Sequence, residues 1–472
     1  MKIVIVGAGE VGFELAKRLV IENKDVILIE INPEKADYVS RQLDCKVVNG
    51  LGNNPDTLKS AGINKADFFI SLTGSDEVNI IACGLVDKEF NISYRIAGIR
   101  NIDYFTTKIM DKSFFGIDFI VNPEIEAAKK IIDTIEGGAS SDIILFEQGD
   151  IQMRNVVVSP ESFLKNMTVR DARRKIQIEF LIAGIEKSDR FVIPSGDTVI
   201  HEEDNLYLLA TKEKLERIFH MIGRPSIVIK DVVLVGGSKI GIYIAKQLIQ
   251  GRKRDARMNN RFLDYFFKRQ KKSTEIKSLK IIETDYEKCK ELSSLFPEAL
   301  VINSDISDES VFKEEGLSEY DLIVTTTKND ELNILVALYA KRVGIERAIS
   351  MVNQKNYMNM AYKLGIDAVV SLRDSITNPI LKFIRKGNIN SIHSISGGDV
   401  EVMELFLERK NQLTGKKIKD INFPAHALII SVAREGKSII PHGDLVLKED
   451  DHIIIISQKE FVGKIESMVA TP

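Results

Sequence analysis

The chain has 472 residues, with 65 Lys and Arg against 68 Asp and Glu and a formal net charge of −3. At roughly 100–200 residues per domain this length predicts several domains, and 44% hydrophobic with 28% charged residues is a globular composition that excludes a disordered or fibrous chain. Near-neutral charge gives no argument for nucleic acid. Cys45, Cys83 and Cys289 are too far apart for a zinc cluster and odd in number, which fits a reduced, cytoplasmic setting.

The N-terminal MKIVIVGAGEVGFELAKRL has one early Lys, and its apolar run is broken by glycines and Glu10. It reads as a strand entering a helix, not as a signal peptide. Short apolar runs then alternate with helical patterns: DVILIEI, PEKADYVSRQL, KVVNG, PDTLKSAGI, DFFISLT and DEVNIIACGLVDKEF. That alternation predicts βαβ units on a parallel sheet. VVVSPES, LIAGIEKSDRFVIPSGDTV and DNLYLLAT predict short strands, with hairpin turns at Lys187-Ser188-Asp189 and Ser195-Gly196-Asp197, closed by a helical TKEKLERI. This second part reads as a small α+β subdomain. No stretch approaches the ~18 apolar residues of a membrane helix; the run Ile453 to Ile456 is a buried strand.

The whole order then repeats. IVIVGAGEVG (Ile3 to Gly12) returns as VVLVGGSKIG (Val232 to Gly241), SLTGSDEVNIIACGLV (Ser71 to Val86) as TTTKNDELNILVALYA (Thr325 to Ala340), and IPSGDTVIHEEDNLYLLA (Ile193 to Ala210) as IPHGDLVLKEDDHIIIIS (Ile440 to Ser457). A period of about half the chain is far longer than a solenoid repeat and means duplicated domains. The predicted fold is therefore α/β, a tandem duplication of a Rossmann-like parallel-sheet subdomain followed by a small α+β subdomain. The expected boundaries are 1–138, 139–225, 226–392 and 393–472. The second half carries an insertion, residues 251–278, rich in Lys and Arg with Phe262, Tyr265, Phe266 and Phe267 between them. Its plain reading is a solvated loop with a short amphipathic helix; its sharper one is a docking element for anionic lipid headgroups or an acidic partner.

Gly7-Ala8-Gly9-Glu10-Val11-Gly12 is a GxGxxG that follows a strand and opens a helix, the context in which the motif predicts a dinucleotide site. Gly7 permits the tight turn, Gly9 lets a pyrophosphate approach the backbone, and Gly12 allows close helix–strand packing. Free N–H groups at the helix start would face the phosphates. Glu30 ends the next strand, where a carboxylate accepts from ribose hydroxyls and repels a 2′-phosphate, favouring NAD or an adenine nucleotide over NADP. The second copy, Gly236-Gly237-Ser238-Lys239-Ile240-Gly241 with Glu283, has a serine side chain where the pyrophosphate should approach. Thr73 and Gly74, with Ser75 or Asp76 as a helix cap, stand at another strand end where open α/β sheets bind ligands. Asn79 lies on the helix that follows. Arg100, after SYRIAGI, could meet a phosphate or a carboxylate across a dimer, and its counterpart is the uncharged Asn353.

The six histidines show no metal spacing, and neither G-x-S-x-G nor a P-loop occurs. A dehydrogenase needs an acid/base beside the hydride acceptor, and no residue nominates itself.

The duplicated GAGEVG…E, LTGSDEVN and IPSGDTVIHEEDNLYLL pattern resembles the regulator-of-potassium-conductance (RCK, or KTN) domains, over essentially the full length. NGLGNNPDTLKSAGI (Asn49 to Ile63) is similar to the loop before the family's LxxAG helix, and Asn303-Ser304-Asp305 stands at its second copy. The resemblance implies NAD(H), or ATP/ADP, held by Gly7, Ala8, Gly9, Glu10, Val11, Glu30, Thr73, Gly74 and Arg100, and at the second copy by Gly236, Gly237, Ser238, Lys239, Ile240 and Glu283. It implies a non-enzymatic, cytoplasmic regulator peripherally bound at the inner membrane face. Its partner would be a membrane-spanning potassium uptake subunit of the Trk/Ktr type, and it would form a dimer or tetramer ring. Gly98 stands where the family often has a further arginine. The rival readings are an NAD-dependent oxidoreductase and a detached gating module of a channel or antiporter. Met1 directly before the first strand, with two copies in one chain, favours a separate subunit over the latter.

Overall fold

The computed structural model describes residues 1–101, 104, 115–139, 143–146, 149–187, 190–223, 227–250, 276–384, 389–395, 399–408, 411–424 and 426–469. Most of the basic insertion, from 251 to 275, and the turn residues Ser188 and Asp189 lie outside the described residues.

In the first half, β1 (Lys2–Val6) leads into α1 (Glu10–Ile21), β2 (Asp25–Glu30) into α2 (Pro33–Gln42), and β3 (Lys46–Asn49) into α3 (Pro55–Ala61). β4 (Phe68–Ser71), α4 (Asp76–Glu89), β5 (Tyr94–Gly98), β6 (Phe119–Val121) and α5 (Pro123–Glu136) follow. The strands pair in parallel in the order β3-β2-β1-β4-β5-β6. Ile3 to Val6 and Phe68 to Ile70 are apolar at successive positions because helices cover both faces of the sheet. Strand order reverses between β1 and β4, so the crevice beyond their C-terminal ends is where this class of sheet places a ligand.

A five-stranded antiparallel sheet comes next, in the order β10-β9-β11-β8-β7. It is built from β7 (Ile143–Leu145), β8 (Ile151–Val157), α6 (Val169–Ile176), β9 (Leu181–Lys187), β10 (Arg190–Val192), β11 (Asn205–Thr211) and α7 (Lys212–Met221). The expected turn at Ser195-Gly196-Asp197 forms, with Thr198 N–H donating to Ser195 O at 3.2 Å, but it joins no pair of strands, so the expected hairpin there is a correction. These residues run back along α6, whose Val169 and Arg170 N–H groups donate to the carbonyls of Thr198 and Gly196, both at 2.9 Å. The sequence reading also missed α6 itself. Five of the eight residues of VRDARRKI are charged, and only Val169, Ala172 and Ile176 form its buried stripe; Thr168 caps it by accepting from Asp171 N–H.

The second half repeats the plan with β12 (Asp231–Val235), α8 (Lys239–Gln250), β13 (Ser278–Glu283), α9 (Tyr286–Leu295), β14 (Leu300–Asn303), α10 (Ser310–Glu314), β15 (Leu322–Thr325), α11 (Asp330–Val343), β16 (Arg347–Met351), α12 (Lys355–Lys363), β17 (Ala368–Val370) and α13 (Leu372–Ile384). Its small sheet comprises β18 (Ile389–Ile395), β19 (Val400–Phe406), β20 (Ala427–Arg434), β21 (Lys437–Ile439) and β22 (His452–Gln458), followed by α14 (Val462–Val469). The sheet orders are β14-β13-β12-β15-β16-β17 and β18-β19-β22-β20-β21. The observed architecture is thus the duplicated α/β fold expected from the repeats.

The halves interlock. Ile125, Ala128, Ile131 and Ile135 of α5 share a core with Val232 and Leu234 of β12 and Ile244 of α8, so the helix of the first half covers the sheet of the second. Reciprocally, Ile376, Ile380, Leu381 and Ile384 of α13 pack on Ile3, Ile5, Leu15 and Leu19 of the first half. At ~1.5–3 kcal/mol per buried aliphatic side chain, the four on α13 contribute about 6–12 kcal/mol before chain entropy is counted. The two small sheets also face each other, with Ile151, Met153 and Leu209 against Val400, Val402, Ile454 and Ile456.

Candidate nucleotide site

The apolar β1 runs out at Val6, and the chain turns at Gly7 with φ +98°, a conformation an L side chain resists. A Cβ at Gly12 would sit 1.9 Å from the Gly7 carbonyl oxygen, so α1 packs directly back onto the loop. Gly9 differs: it is the N-cap of α1, contributes no side-chain cap, and a Cβ there would meet nothing within 4 Å. The first N–H groups of α1 therefore face an open crevice with the positive end of the helix dipole behind them.

Glu30, 7% exposed, closes one side. Its Oε2 accepts from Ala8 N–H at 2.6 Å and its Oε1 from Asn32 N–H at 2.9 Å, so the acid latches the glycine loop to the end of β2. A carboxylate accepts about four hydrogen bonds, which leaves room for ribose hydroxyls. The opposite side is set by Asn79, which the sequence placed only as lying on α4. It is buried; its Oδ1 accepts from Thr73 N–H at 2.9 Å and Thr73 Oγ1 at 2.8 Å, while its Nδ2 donates to Gly98 O at 2.7 Å. One amide thus holds the ends of β4 and β5 in register. Ser75 caps α4, accepting from Val78 N–H at 3.2 Å. Asp76 reaches instead to the turn after β5, accepting from Arg100 N–H at 2.9 Å and Asn101 N–H at 2.7 Å, and so fixes Arg100 on the exposed rim. Gly74 is as open as Gly9.

The second crevice is built the same way up to its charges. Gly236 turns at φ +101°, and Glu283 accepts from Gly237 N–H at 2.6 Å and from Thr284 and Asp285 N–H. Burial would raise the Glu283 carboxyl, but the Asp285 and Gly237 N–H donors and Lys288 outweigh it and hold it below its ordinary range. Thr327, Asn333 and Met351 O repeat the asparagine staple, and Asp330 holds Asn353 and Gln354 as Asp76 holds Arg100. Three features differ. The Ser238 hydroxyl is turned inward, accepting from Gly241 N–H and donating to Thr326 O, each at 3.3 Å, so it caps α8 where α1 has no side-chain cap. Lys328 replaces Gly74, a change visible in the alignment of the two copies, and Asn353 replaces Arg100. The Ile240 side chain lies in the core shared with α5, and Val11 packs against the α1 core, so these two offer a site only backbone.

Each loop is also met by the swapped helix of the other half. Arg373 Nη2 of α13 lies 3.7 Å from Glu10 Oε2. At the other loop Glu124 of α5 faces Lys239 and Arg100; burial raises its carboxyl, and those two cations temper the rise. Among the described residues no group of three or more His, Cys, Asp or Glu could hold a metal, and no helix is long and apolar enough to cross a membrane.

Two interlocked Rossmann-type lobes, each carrying a small α+β subdomain, define a tandem RCK chain. The TrkA-N domain model matches residues 3–123 and 267–372, and the TrkA-C domain model residues 153–223 and 402–469. The Trk system potassium uptake protein TrkA homolog 1 of Methanosarcina mazei is 30% identical over 472 residues, covering 99% of each chain. TrkA of Azorhizobium caulinodans is 27% identical, over 99% of this chain and 98% of its own. Among solved structures, the GsuK channel bound to NAD shares the fold with a TM-score of 0.53 at 18% identity, over 99% of this chain and 78% of that one. The chain belongs to the TrkA family of Trk-system potassium uptake proteins.

Proposed function

We propose that this chain is the nucleotide-sensing regulatory subunit of a potassium uptake system, non-enzymatic, acting at the inner face of the membrane on a membrane-spanning potassium uptake subunit. The observation that carries the reading is the uncapped N-terminus of α1 facing open space at Gly9 with Glu30 beside it. NAD(H) fits this crevice, its pyrophosphate on the α1 N–H groups and a ribose on Glu30; ATP or ADP shares those contacts and would extend its phosphates toward Arg100. The Trk-system relatives and the NAD bound to the GsuK channel support the same assignment. The second crevice, capped by Ser238 and lacking the arginine, is the weaker site.

Ligand at the first loop has a direct route to the rest of the molecule, because α1 is packed along its length against α13 of the other half. Arg18 of α1, 1% exposed, donates to Glu14, Asp374, Asn378 and Ser394, tying the helix to α13 and to β18. A nucleotide that binds two arrangements of these elements unequally by ~1–3 kcal/mol changes output 5–150-fold. The subunit acts as a homo-oligomer, a dimer or tetramer ring.

Calorimetric titration of the purified chain with NADH, NAD, ATP and ADP tests the reading. One strong site per chain, lost in Gly9→Val and retained in Ser238→Val, is expected. Absence of binding by all four nucleotides would refute it.

A further inference from the structure

A cavity of about 660 Å³ lies where all four subdomains meet, bordered by Asn353 of the second crevice and by Arg373, which meets the first glycine loop at Glu10. Its walls come from the middle of α1, the start of α13, β10 of the first small sheet and the segment after β22 of the second. Four cations line it, each from a different element: Lys17, Arg190, Arg373 and Lys459. Of the lining carboxylates, Glu14 and Asp374 are engaged by Arg18, and Asp399 and Glu460 stand at the exposed rim.

Four carboxylates share the lining with the four cations, yet direct pairing between them is sparse. The ammonium of Lys459, in a side chain only 7% exposed, has no hydrogen-bond or ion-pair partner among the described residues, and neither do the exposed Lys17 and Arg190. Arg373 reaches Glu10, but its Nε is buried without an acceptor. Burial, then the neighbouring Arg18, push the Lys459 ammonium down to about 8 despite Glu14, Glu401 and Glu22 nearby. A buried Arg373 Nε without an acceptor is costly, and an anion that reaches it recovers that cost. Tetrahedral phosphate oxygens suit several cations converging from different directions, and Arg in particular recognises them.

We propose that this cavity is a second small-molecule site, taking a phosphate-bearing anion, with Lys459 at its inner wall and Lys17, Arg190 and Arg373 as its outer contacts. A ligand there touches both halves at once, so its affinity depends on how the four subdomains sit, and it is coupled to whatever binds the glycine loop at the other end of α1.

The test is calorimetry on the full chain with pyrophosphate and with AMP, at constant ionic strength, in a phosphate-free buffer. Wild type is compared with Gly9→Val/Ser238→Val, which obstructs both glycine loops, with Lys459→Met, and with Lys17→Ala/Arg190→Ala. Binding of at least one probe that survives in the loop variant and weakens tenfold or more in the two cavity variants is expected. Pyrophosphate binding without AMP would assign the site to inorganic phosphates; AMP binding as well would extend it to phosphate esters. If Lys459→Met loses its native circular dichroism, the surface double variant decides alone. Failure of both probes to bind, or affinity lost in the loop variant and unchanged in the cavity variants, overturns the proposal.

Discussion

Gly9 and Gly12 lie three positions apart in one loop, yet the structure predicts opposite consequences of adding a side chain. At Gly12 a Cβ would lie 1.9 Å from the Gly7 carbonyl oxygen, and that oxygen belongs to a turn held at φ +98°. Relief requires α1 to move off β1, which disturbs Leu15 and Leu19 in the core with α13. Overpacking of this kind costs ~1–3 kcal/mol or more, a large part of a typical ~5–15 kcal/mol stability. At Gly9 nothing lies within 4 Å, and φ −64° with ψ 177° suits any residue. Gly9→Val thus costs only the poorer capping residue, ~1 kcal/mol or less, while its isopropyl group would fill the space proposed for the pyrophosphate. Urea unfolding should place Gly12→Ala well below wild type and Gly9→Val near it, whereas calorimetry should show at least a 100-fold loss of nucleotide affinity in Gly9→Val. A Gly9→Val protein that binds normally, or one less stable than Gly12→Ala, refutes the reasoning.

Ile380→Ala should cost about 2–5 kcal/mol and lower the urea midpoint reported from both halves, because that fully buried side chain belongs to the second half and packs in the first. Two separate transitions with only one displaced would contradict the interlock. Asn79→Leu leaves Thr73 N–H and Gly98 O without their partner; at ~1–3 kcal/mol for each unsatisfied buried group, a lowered melting temperature and weakened nucleotide binding are expected together. The Lys459 ammonium, held near 8, releases its proton in the folded state before the unfolded chain does. The unfolded state then binds more protons above about pH 8, so this group makes stability rise with pH until the unfolded lysine also titrates near ~10.4. Urea midpoints between pH 7.5 and 10 should show that rise in wild type and a flatter profile in Lys459→Met.

Much of the architecture is legible locally. IVIVGAGEVG states a strand, a turn and a helix start in ten letters, and Glu30 follows at the end of the next apolar run. Such features depend on neighbours along the chain, and their recurrence in the second half doubles the signal. What escapes is whatever depends on neighbours in space. The charged exterior of VRDARRKI hides a three-residue stripe, and Asn79 looks like any helix asparagine until Thr73 and Gly98 are brought around it. The Ser238 side chain is readable, but not that its hydroxyl turns inward to cap α8.

By itself, then, the sequence determines the duplication, the parallel and antiparallel sheets, and the glycine loop with its acid, because short-range sterics and hydrophobic period dictate these. Only the tertiary structure decides that α5 and α13 cross to the opposite halves, since an apolar stripe specifies that a helix must be covered but not by which sheet. The same crossing brings Arg373 to Glu10 and gathers Lys17, Arg190 and Lys459 around one cavity. These residues lie hundreds of positions apart and have no period in common to announce that they meet.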